Sequence, residues 1–396
     1  MGVTIIGAAA TPVGKLQTPP DAPIQVLEQD VLADVVIDAV AGAGVDPRDI
    51  GGLSFAQPRP YTAQKYFGTF MASYLGIAAD GYVAEVLGNG MTAALAFEHA
   101  ADNIRSGRAD IALALGVNFE TAVTSGEHMM SSMRAVGDVN FQSQFGITPI
   151  AWYAMDAVRY MHEHGATRDQ LATVAVKNRL HATMNPIAQF RKPLTLEEVL
   201  DKPPIVYPLG LLEVPPRSDG AVCLVLASDE VARSLGRPHV RVRGHGFHHE
   251  GAHQITSAPS DMIALNAAQK AGRAAYESAG VGPADIDVSE LYAPCTIVEV
   301  MVSEALGLAP HGYGAHYAAE GRTRFDGDIP ISTSGGLTSR GHPAYVTPLY
   351  SMLEAYEQLT DRAGERQVKD AALALTSAEL GNYNAAMVHI LERMQP

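Results

Sequence analysis

The sequence has little of what marks several large classes of protein. It contains only two cysteines, Cys223 and Cys295, among 396 residues, and both lie in apolar stretches, which fits a reducing compartment. No run of apolar residues approaches the roughly 18 that read as a membrane-spanning helix. The first ten residues lack the charged segment with which a signal peptide begins. We therefore expect a cytoplasmic protein without a membrane segment.

Clusters of basic residues are also missing. The formal net charge is −15, and no Lys/Arg run offers the basic face that phosphate binding requires, so a nucleic-acid partner is not expected. Hydrophobic residues make up 47% of the chain and charged residues 18%, which is typical of an ordinary globular protein. The length favours two structural units, or one large unit with an insertion.

The two ends of the sequence resemble each other. Three pairs of segments recur in the same order, which favours an internal duplication over chance similarity. The pairs are VTIIG (3–7) with VRVRG (240–244), VIDAVAGAGVDPRDIGGLSF (36–55) with AAYESAGVGPADIDVSELY (274–292), and GRADIALALG (107–116) with VKDAALALTS (368–377). Strands alternate with helices in each half, so we predict an α/β fold with a mainly parallel sheet and helices on both faces.

The region between the halves lacks this alternation. Residues 117–216 are rich in Met, Gln, Phe and Pro, and they include an amphipathic helical pattern, YAMDAVRYMHEHG, and a capping-box pattern at Thr167. We predict a loop lobe inserted into the first half. The resulting division is an N-terminal half (1–116) completed by a strand within 217–236, the loop lobe (117–216), and a C-terminal half (237–396).

Near the C-terminus, the segment GGLTSRGHPAY (335–345) places His342 between a glycine and a proline. Together with the duplication and the stretch at 160–200, this segment resembles the thiolase family, in particular its sterol-carrier and lipid-transfer branch. The resemblance implies a five-layered αβαβα fold, a homodimer, and carbon–carbon bond chemistry on acyl-coenzyme A esters. It also implies no permanently bound cofactor and no metal, with coenzyme A entering as part of the substrate.

The sequence departs from the family pattern at the residues that matter most for catalysis. Gly90, in VLGNGMTAALAF, stands where the family has its nucleophilic cysteine. In ELYAPC (290–295), Tyr292 takes the place of an Asn or His, and Cys295 falls one position late. The segment SAELGNYNA (377–385) replaces a Cys-x-Gly motif. Covalent acyl transfer by the usual route is therefore not expected.

Chemistry that needs no nucleophile remains available. The resemblance implies that His342 helps to stabilise an enolate oxygen, and we assign Tyr292 to the hydroxyl of the substrate. This predicts a lyase that cleaves a bulky 3-hydroxyacyl-CoA, of steroid side-chain type for example, by a retro-aldol reaction. Tyr292 can also be read as a packed aromatic residue.

Other residues complete the predicted site. Glu379 is a candidate acid/base residue or a loop carboxylate, and Tyr345 lines the same pocket or packs at the beginning of a helix. Gly90, without a side chain, leaves room for a bulky acyl group. Together with Met91 and Gly336, it is predicted to bind the substrate.

Three alternatives stay open at this point. The protein could be an acyl-CoA C-acyltransferase that uses Cys295 or a cysteine-free route, or a non-catalytic acyl-CoA-binding scaffold. The histidines of GHGFHHEGAH (244–253), namely His245, His248, His249 and His253, could bind a metal, although a polar loop is favoured. The resemblance also implies a small partner subunit with an OB fold and a zinc ribbon.

Overall fold

The structure is a computed structural model that describes residues 1–18, 22, 25–58, 64–122, 137–251 and 261–395. The strands are β1 (Val3–Ala10), β2 (Gly52–Ala56), β3 (Tyr82–Val86), β4 (Ile111–Phe119), β5 (Pro204–Val206), β6 (Leu209–Gly210), β7 (Asp219–Ser228), β8 (His239–His249), β9 (Val288–Glu290), β10 (Leu373–Leu380) and β11 (Ala385–Met394). The α-helices are α1 (Glu28–Ala43), α2 (Phe67–Leu75), α3 (Thr92–Arg105), α4 (Pro149–His164), α5 (Arg168–Thr183), α6 (Leu196–Leu200), α7 (Asp229–Ser234), α8 (Asn266–Ala279), α9 (Thr296–Ala305), α10 (Gly314–Ala319) and α11 (Thr347–Leu359).

Within the described ranges, nine strands form one sheet in the order β3-β2-β4-β7-β1-β8-β11-β10-β9. In the first half, β1 to β4 run in one direction and β7 is reversed between β4 and β1. In the second half, β11 is reversed in the same way between β10 and β8. Only three of the eight neighbouring strand pairs are parallel, so the prediction of a mainly parallel sheet is wrong. The sheet is mixed because each half contains one reversed strand and the two halves meet antiparallel at β1 and β8.

The predicted duplication is confirmed by this topology. Each half places a first strand (β1 or β8), a helix (α1 or α8) and a second strand (β2 or β9) in the same order, and each ends with an antiparallel pair of strands. The halves meet where β1 pairs with β8 over two residue pairs, Thr4 with Arg241 and Ile5 with Val240. The sheet order β3-β2-β4-β7-β1 is therefore repeated, apart from its outermost strand, as β9-β10-β11-β8.

Three hydrophobic cores separate the layers. One packs α1 and α2 on the outside of the first half, with Leu32 and Phe55 fully buried. The middle core lies between the halves and holds the two central helices, α3 and α11, through residues such as Phe97 and Leu353. The third packs α8 and α9 on the outside of the second half. The five layers expected of the fold are the outer helices of the first half, the first half of the sheet, the central helices, the second half of the sheet, and the outer helices of the second half.

The inserted lobe consists of α4, α5, α6 and the β5–β6 hairpin. Helix α4 begins with a proline and ends at Gly165, and α5 begins with the predicted capping box, in which Thr167 and Gln170 satisfy each other's backbone N–H groups. Two side chains of α5, Lys177 and Asn178, bind the Glu299 carboxylate of α9 at 2.6 and 3.0 Å. The lobe is therefore fastened to the second half. Among the described residues, no helix is long and apolar enough to cross a bilayer.

Candidate active site

A sharp turn precedes the central helix α3. Asn89 adopts a left-handed backbone conformation with φ 46°. The Thr92 hydroxyl accepts a hydrogen bond from Gly88 N at 2.9 Å and donates one to Asn89 O at 2.6 Å. These bonds stabilise the turn locally and place Gly90, which is buried, at the helix entrance. The predicted position of the missing nucleophile thus lies at the N-terminal end of a helix buried between the two halves.

The side chain of Tyr292 fills the space beside Gly90. A Cβ atom on Gly90 would lie 2.7 Å from Tyr292 Oη and 3.0 Å from Tyr292 Cζ, closer than such atoms pack. The main chain of Tyr292 is held on both sides, since its N–H donates to Ser377 Oγ at 3.0 Å and its carbonyl accepts from Tyr383 Oη at 2.6 Å. A cysteine at position 90 and this placement of Tyr292 exclude each other.

His342 stands against the same phenol. Its Nε2 atom lies 3.4 Å from Tyr292 Oη, and the two rings meet edge to face with centroids 5.5 Å apart. The preceding Gly341 has φ 109°, a conformation that favours glycine. Gly90, Tyr292 and His342, which are far apart in the sequence, are therefore brought together as one site.

The inserted lobe helps to fix the histidine loop. The backbone N–H of His342 donates to Ser218 Oγ at 2.9 Å, and the Ser218 hydroxyl donates to Gln189 Oε1 at 2.6 Å. On the other side, His342 Nδ1 lies 2.9 Å from Thr347 Oγ1, at the beginning of α11. The sequence reasoning missed all three supporting residues. Gln189 lies within the stretch 160–200 that resembles the family, but nothing there marks it as a support of the histidine loop, and only Thr347 is close to His342 along the chain.

A buried ion pair lies under the loop that carries His342. Arg340 is fully buried, and its Nη1 atom is 3.4 Å from Glu290 Oε2. Glu290 also accepts hydrogen bonds from Ser334 N and Ser334 Oγ at 2.9 and 2.7 Å. Burial raises the pKa of Glu290, against the lowering effect of Arg340. The π-helical turn Gly336–Arg340 is thereby tied to the strand that ends just before Tyr292.

Gly336, one of the predicted substrate-binding residues, faces the lobe. It has φ 57°, and a Cβ atom there would lie 2.9 Å from Asn178 Nδ2. The glycine therefore permits close packing of the turn against α5. Its contact with substrate stays a prediction.

Glu379 lies at the end of β10 with a buried carboxyl group. Its Oε2 atom accepts from Tyr383 N at 3.1 Å. Burial raises the pKa of Glu379 to about 7, although hydrogen bonds from the Tyr383 and Asn382 backbones and from Tyr153 oppose this. Its main-chain oxygen would be 2.9 Å from a Cβ on Gly90. The main-chain oxygen of Glu379 thus lies next to Gly90, while its carboxyl group is hydrogen-bonded to Tyr153 and to the backbone of Tyr383.

Two further predicted residues line the site from the side. Met91 is buried in a small apolar cluster with side chains from β10 and β11. Tyr345 is 7% exposed and belongs to the turn Ala344–Val346, which contacts the turn Asn89–Met91. Both residues lie near the N-terminal end of α3, and their contact with substrate stays a prediction.

The cysteines are placed unfavourably for nucleophilic chemistry. Cys295 is buried at the beginning of α9, and burial, assisted by Glu213 and Asp156, raises the pKa of its thiol. Cys223 is buried in β7, and burial raises its pKa as well. The thiolate is the reactive form, so neither side chain is activated.

The histidine-rich segment forms the end of β8. His245 Nε2 is 3.7 Å from Glu98 Oε2 and His248 Nε2 is 3.6 Å from Glu250 Oε1, so the two rings contact different carboxylates. His253 lies outside the described residues. Within the part of the chain that the structure describes, no three His, Cys, Asp or Glu side chains are arranged to hold a metal ion.

Comparison with known proteins agrees with this architecture. Residues 3–206 match the family described as "Thiolase, N-terminal domain", and residues 249–393 match "Thiolase C-terminal domain-like". The chain belongs to the thiolase family, in the branch that includes sterol carrier protein 2.

Its relatives differ in the activity that their names record. The chain is 31% identical over 395 residues to "Acetyl-CoA acetyltransferase" from Methanothermobacter thermautotrophicus, covering 99% of each protein. It is 30% identical over 366 residues to "Steroid side-chain-cleaving aldolase" from Thermomonospora curvata, covering 89% of this chain and 90% of that protein. The solved structure "Ltp2-ChsH2(DUF35) aldolase" superposes with a TM-score of 0.81 and 27% identity, covering 99% of this chain and 97% of the other.

Proposed function

We propose that this protein is a carbon–carbon lyase that cleaves a 3-hydroxyacyl-CoA by a retro-aldol reaction. One observation carries the proposal: the phenol of Tyr292 occupies the space beside Gly90 and contacts His342. A thiolase must hold an acyl group on a nucleophile. Here the nucleophile position has no side chain and the adjoining volume holds a proton-transfer group. The site is therefore suited to breaking a bond beside a hydroxyl group without a covalent intermediate.

In this mechanism, Tyr292 takes the proton of the substrate's 3-hydroxyl group while it gives its own phenolic proton to His342. The C2–C3 bond then breaks, C3 becomes the carbonyl carbon of an aldehyde or ketone, and the bonding electrons form the enolate of the shortened acyl-CoA. The enolate regains a proton at C2. Neither water nor a permanently bound cofactor is needed to balance the reaction.

The developing charge on the thioester oxygen needs hydrogen-bond donors. The N–H groups of Met91 and Thr92 already donate to Gly88 O and Asn89 O, so the backbone donor proposed for this charge is the Gly90 N–H at the entrance of α3. The space that the missing side chain of Gly90 leaves is taken by the phenol of Tyr292 and not by the acyl group, contrary to the expectation from the sequence. Met91, Tyr345 and Gly336 are proposed to shape the remainder of the acyl site.

The relatives support a bulky substrate and a composite enzyme. The name of the Thermomonospora relative records cleavage of a steroid side chain, and the superposed aldolase structure is named for Ltp2 together with a second component, ChsH2. By analogy, we propose a steroid-type CoA ester as substrate, and a homodimer that works with a small OB-fold, zinc-ribbon subunit. The proposed setting is the cytoplasm, in agreement with two free cysteines.

The experiment is a comparison of two reactions on the same preparation, with and without the partner subunit. One arm offers 3-hydroxyacyl-CoA esters of increasing bulk, and the other offers 3-oxoacyl-CoA with free coenzyme A. We expect cleavage in the first arm and none in the second. Thiolysis of the 3-oxoacyl-CoA would instead identify an acyltransferase. Tight binding of the esters without turnover in either arm would identify a scaffold.

A further inference from the structure

Each ring nitrogen of His342 lies within hydrogen-bond distance of a hydroxyl group. Nε2 lies 3.4 Å from Tyr292 Oη and Nδ1 lies 2.9 Å from Thr347 Oγ1. A neutral imidazole carries one proton, and the hydrogen bond made by one nitrogen decides what the other can do. The chemical role of His342 therefore depends on Thr347, a fully buried residue.

The threonine hydroxyl has two acceptors within reach, His342 Nδ1 at 2.9 Å and the Pro343 carbonyl oxygen at 3.3 Å. The carbonyl oxygen also accepts from Val346 N and Thr347 N at 2.9 and 3.1 Å. Thr347 Oγ1 is within 3.3 Å of the Pro343 carbonyl oxygen, which can only accept a hydrogen bond. A hydroxyl group has a single proton. When Thr347 gives it to Pro343, its lone pairs face His342, and Nδ1 of the imidazole must carry the ring proton.

The other end of the imidazole fits the same arrangement. With the proton on Nδ1, the lone pair of Nε2 faces Tyr292 Oη, which can donate its phenolic proton. The three groups then form a directional chain from Tyr292 through His342 and Thr347 to the carbonyl of Pro343. Each hydrogen bond in this chain has one donor and one acceptor.

We propose that Thr347 is a positioning residue that keeps the proton on Nδ1 of His342, so that Nε2 acts as the base that takes the phenolic proton of Tyr292. This inference rests on the proposed retro-aldol function and specifies its proton path. It replaces the oxyanion role expected for His342 from the sequence, and it leaves the thioester oxygen to the Gly90 N–H at the entrance of α3.

The proton transfers of the reaction balance along this series of hydrogen bonds. The substrate hydroxyl gives its proton to Tyr292 Oη while the phenol gives its own to His342 Nε2, and the C2–C3 bond breaks. His342 is then an imidazolium and the acyl-CoA is an enolate. Return of a proton through Tyr292 to C2 restores the neutral imidazole and releases the shortened acyl-CoA. The cycle consumes no external acid or base.

The test combines spectroscopy with kinetics. Nitrogen-15 spectra of the labelled full-length protein distinguish the two imidazole tautomers, and the His342→Gln variant identifies the signals of His342 by their loss. We expect the Nδ1–H tautomer in the wild type and in Thr347→Ser, which keeps the hydroxyl group, and its loss in Thr347→Val. In cleavage assays, Thr347→Val should lower kcat by about tenfold or more with little change in KM, and Thr347→Ser should retain most of the activity.

An Nε2–H tautomer in the wild type would overturn the proposal, as would a Thr347→Val variant with unchanged tautomer and kcat. The spectroscopic arm requires no turnover, so it separates this inference from the proposed function. A wild-type protein with the Nδ1–H tautomer that cleaves no 3-hydroxyacyl-CoA would refute the reaction while supporting the proton arrangement.

Discussion

The sharpest perturbation that the structure offers is Gly90→Ala. The added Cβ would lie 2.7 Å from Tyr292 Oη, 2.9 Å from the main-chain oxygen of Glu379 and 3.0 Å from Tyr292 Cζ. The Glu379 oxygen belongs to a strand end and cannot move alone, so the phenol must be displaced. Because that displacement changes the position of Tyr292 relative to His342, we expect a single methyl group to affect catalysis more than folding.

The magnitudes follow from these contacts. Overpacking by one methyl group in a tight site costs about 1–3 kcal/mol of unfolding free energy. Loss of a positioned acid/base group lowers the rate by roughly 100-fold or more. In the background of Tyr292→Phe, the shortest contact disappears, and Gly90→Ala should therefore cost less stability there by about 0.5 kcal/mol or more.

Chemical denaturation and the cleavage assay measure these effects on the same samples. Gly42→Ala is the matched control, because Gly42 lies in α1 and a Cβ there meets open space; we expect its stability to be unchanged or higher by up to about 1 kcal/mol. A Gly90→Ala variant with wild-type stability and wild-type cleavage would refute the crowding of Tyr292 against position 90.

Three further predictions concern the neighbouring side chains. Tyr292→Phe should lower kcat for cleavage by about 100-fold or more while the circular dichroism spectrum stays unchanged; full activity would exclude the phenol from the mechanism. Cys295→Ala should leave kcat unchanged, and iodoacetamide should label Cys295 only after unfolding, because burial raises the pKa of the thiol; rapid labelling of the native protein with loss of turnover would contradict this. The pKa of Glu379 is about 7 against an ordinary 4.5, so the folded state retains a proton that the unfolded state has lost, and stability falls as the pH rises from about 4.5 to 7. Glu379→Gln should remove this fall, worth roughly 3 kcal/mol, and equal pH dependence of the two unfolding curves would count against the raised pKa.

Much of the architecture was predictable because the sequence repeats itself. The segments before and after GVDPRDI and GVGPADI became α1 with β2 and α8 with β9, and the apolar runs at 111–119 and 373–380 became β4 and β10. Periodicity and turn chemistry are local signals, so they are readable from sequence. The reversed strand in each half was not anticipated, because strand direction within a sheet depends on long-range packing.

The sequence indicated several residues of the site, but it did not indicate the contacts between them. A motif indicated His342, and the resemblance to the family indicated Gly90 and Tyr292, yet nothing local showed that the phenol fills the space beside Gly90. Ser218 and Gln189 are more than 120 residues from His342, and their hydrogen bonds arise only from the folding of the lobe onto the second half. Polar side chains of this kind carry no sequence pattern that distinguishes a residue supporting the site from a surface residue.

The most direct test of the retro-aldol site is a structure of the protein with a bound 3-hydroxyacyl-CoA, trapped in the Tyr292→Phe variant, and with the product acyl-CoA bound to the wild type. The retro-aldol mechanism predicts that the 3-hydroxyl oxygen lies where Tyr292 Oη can reach it, at roughly 2.5–3.0 Å on restoring the phenol, and that the thioester lies beside Gly90. A thioester bound away from Gly90, or a C3 oxygen beyond reach of both Tyr292 and His342, would contradict it.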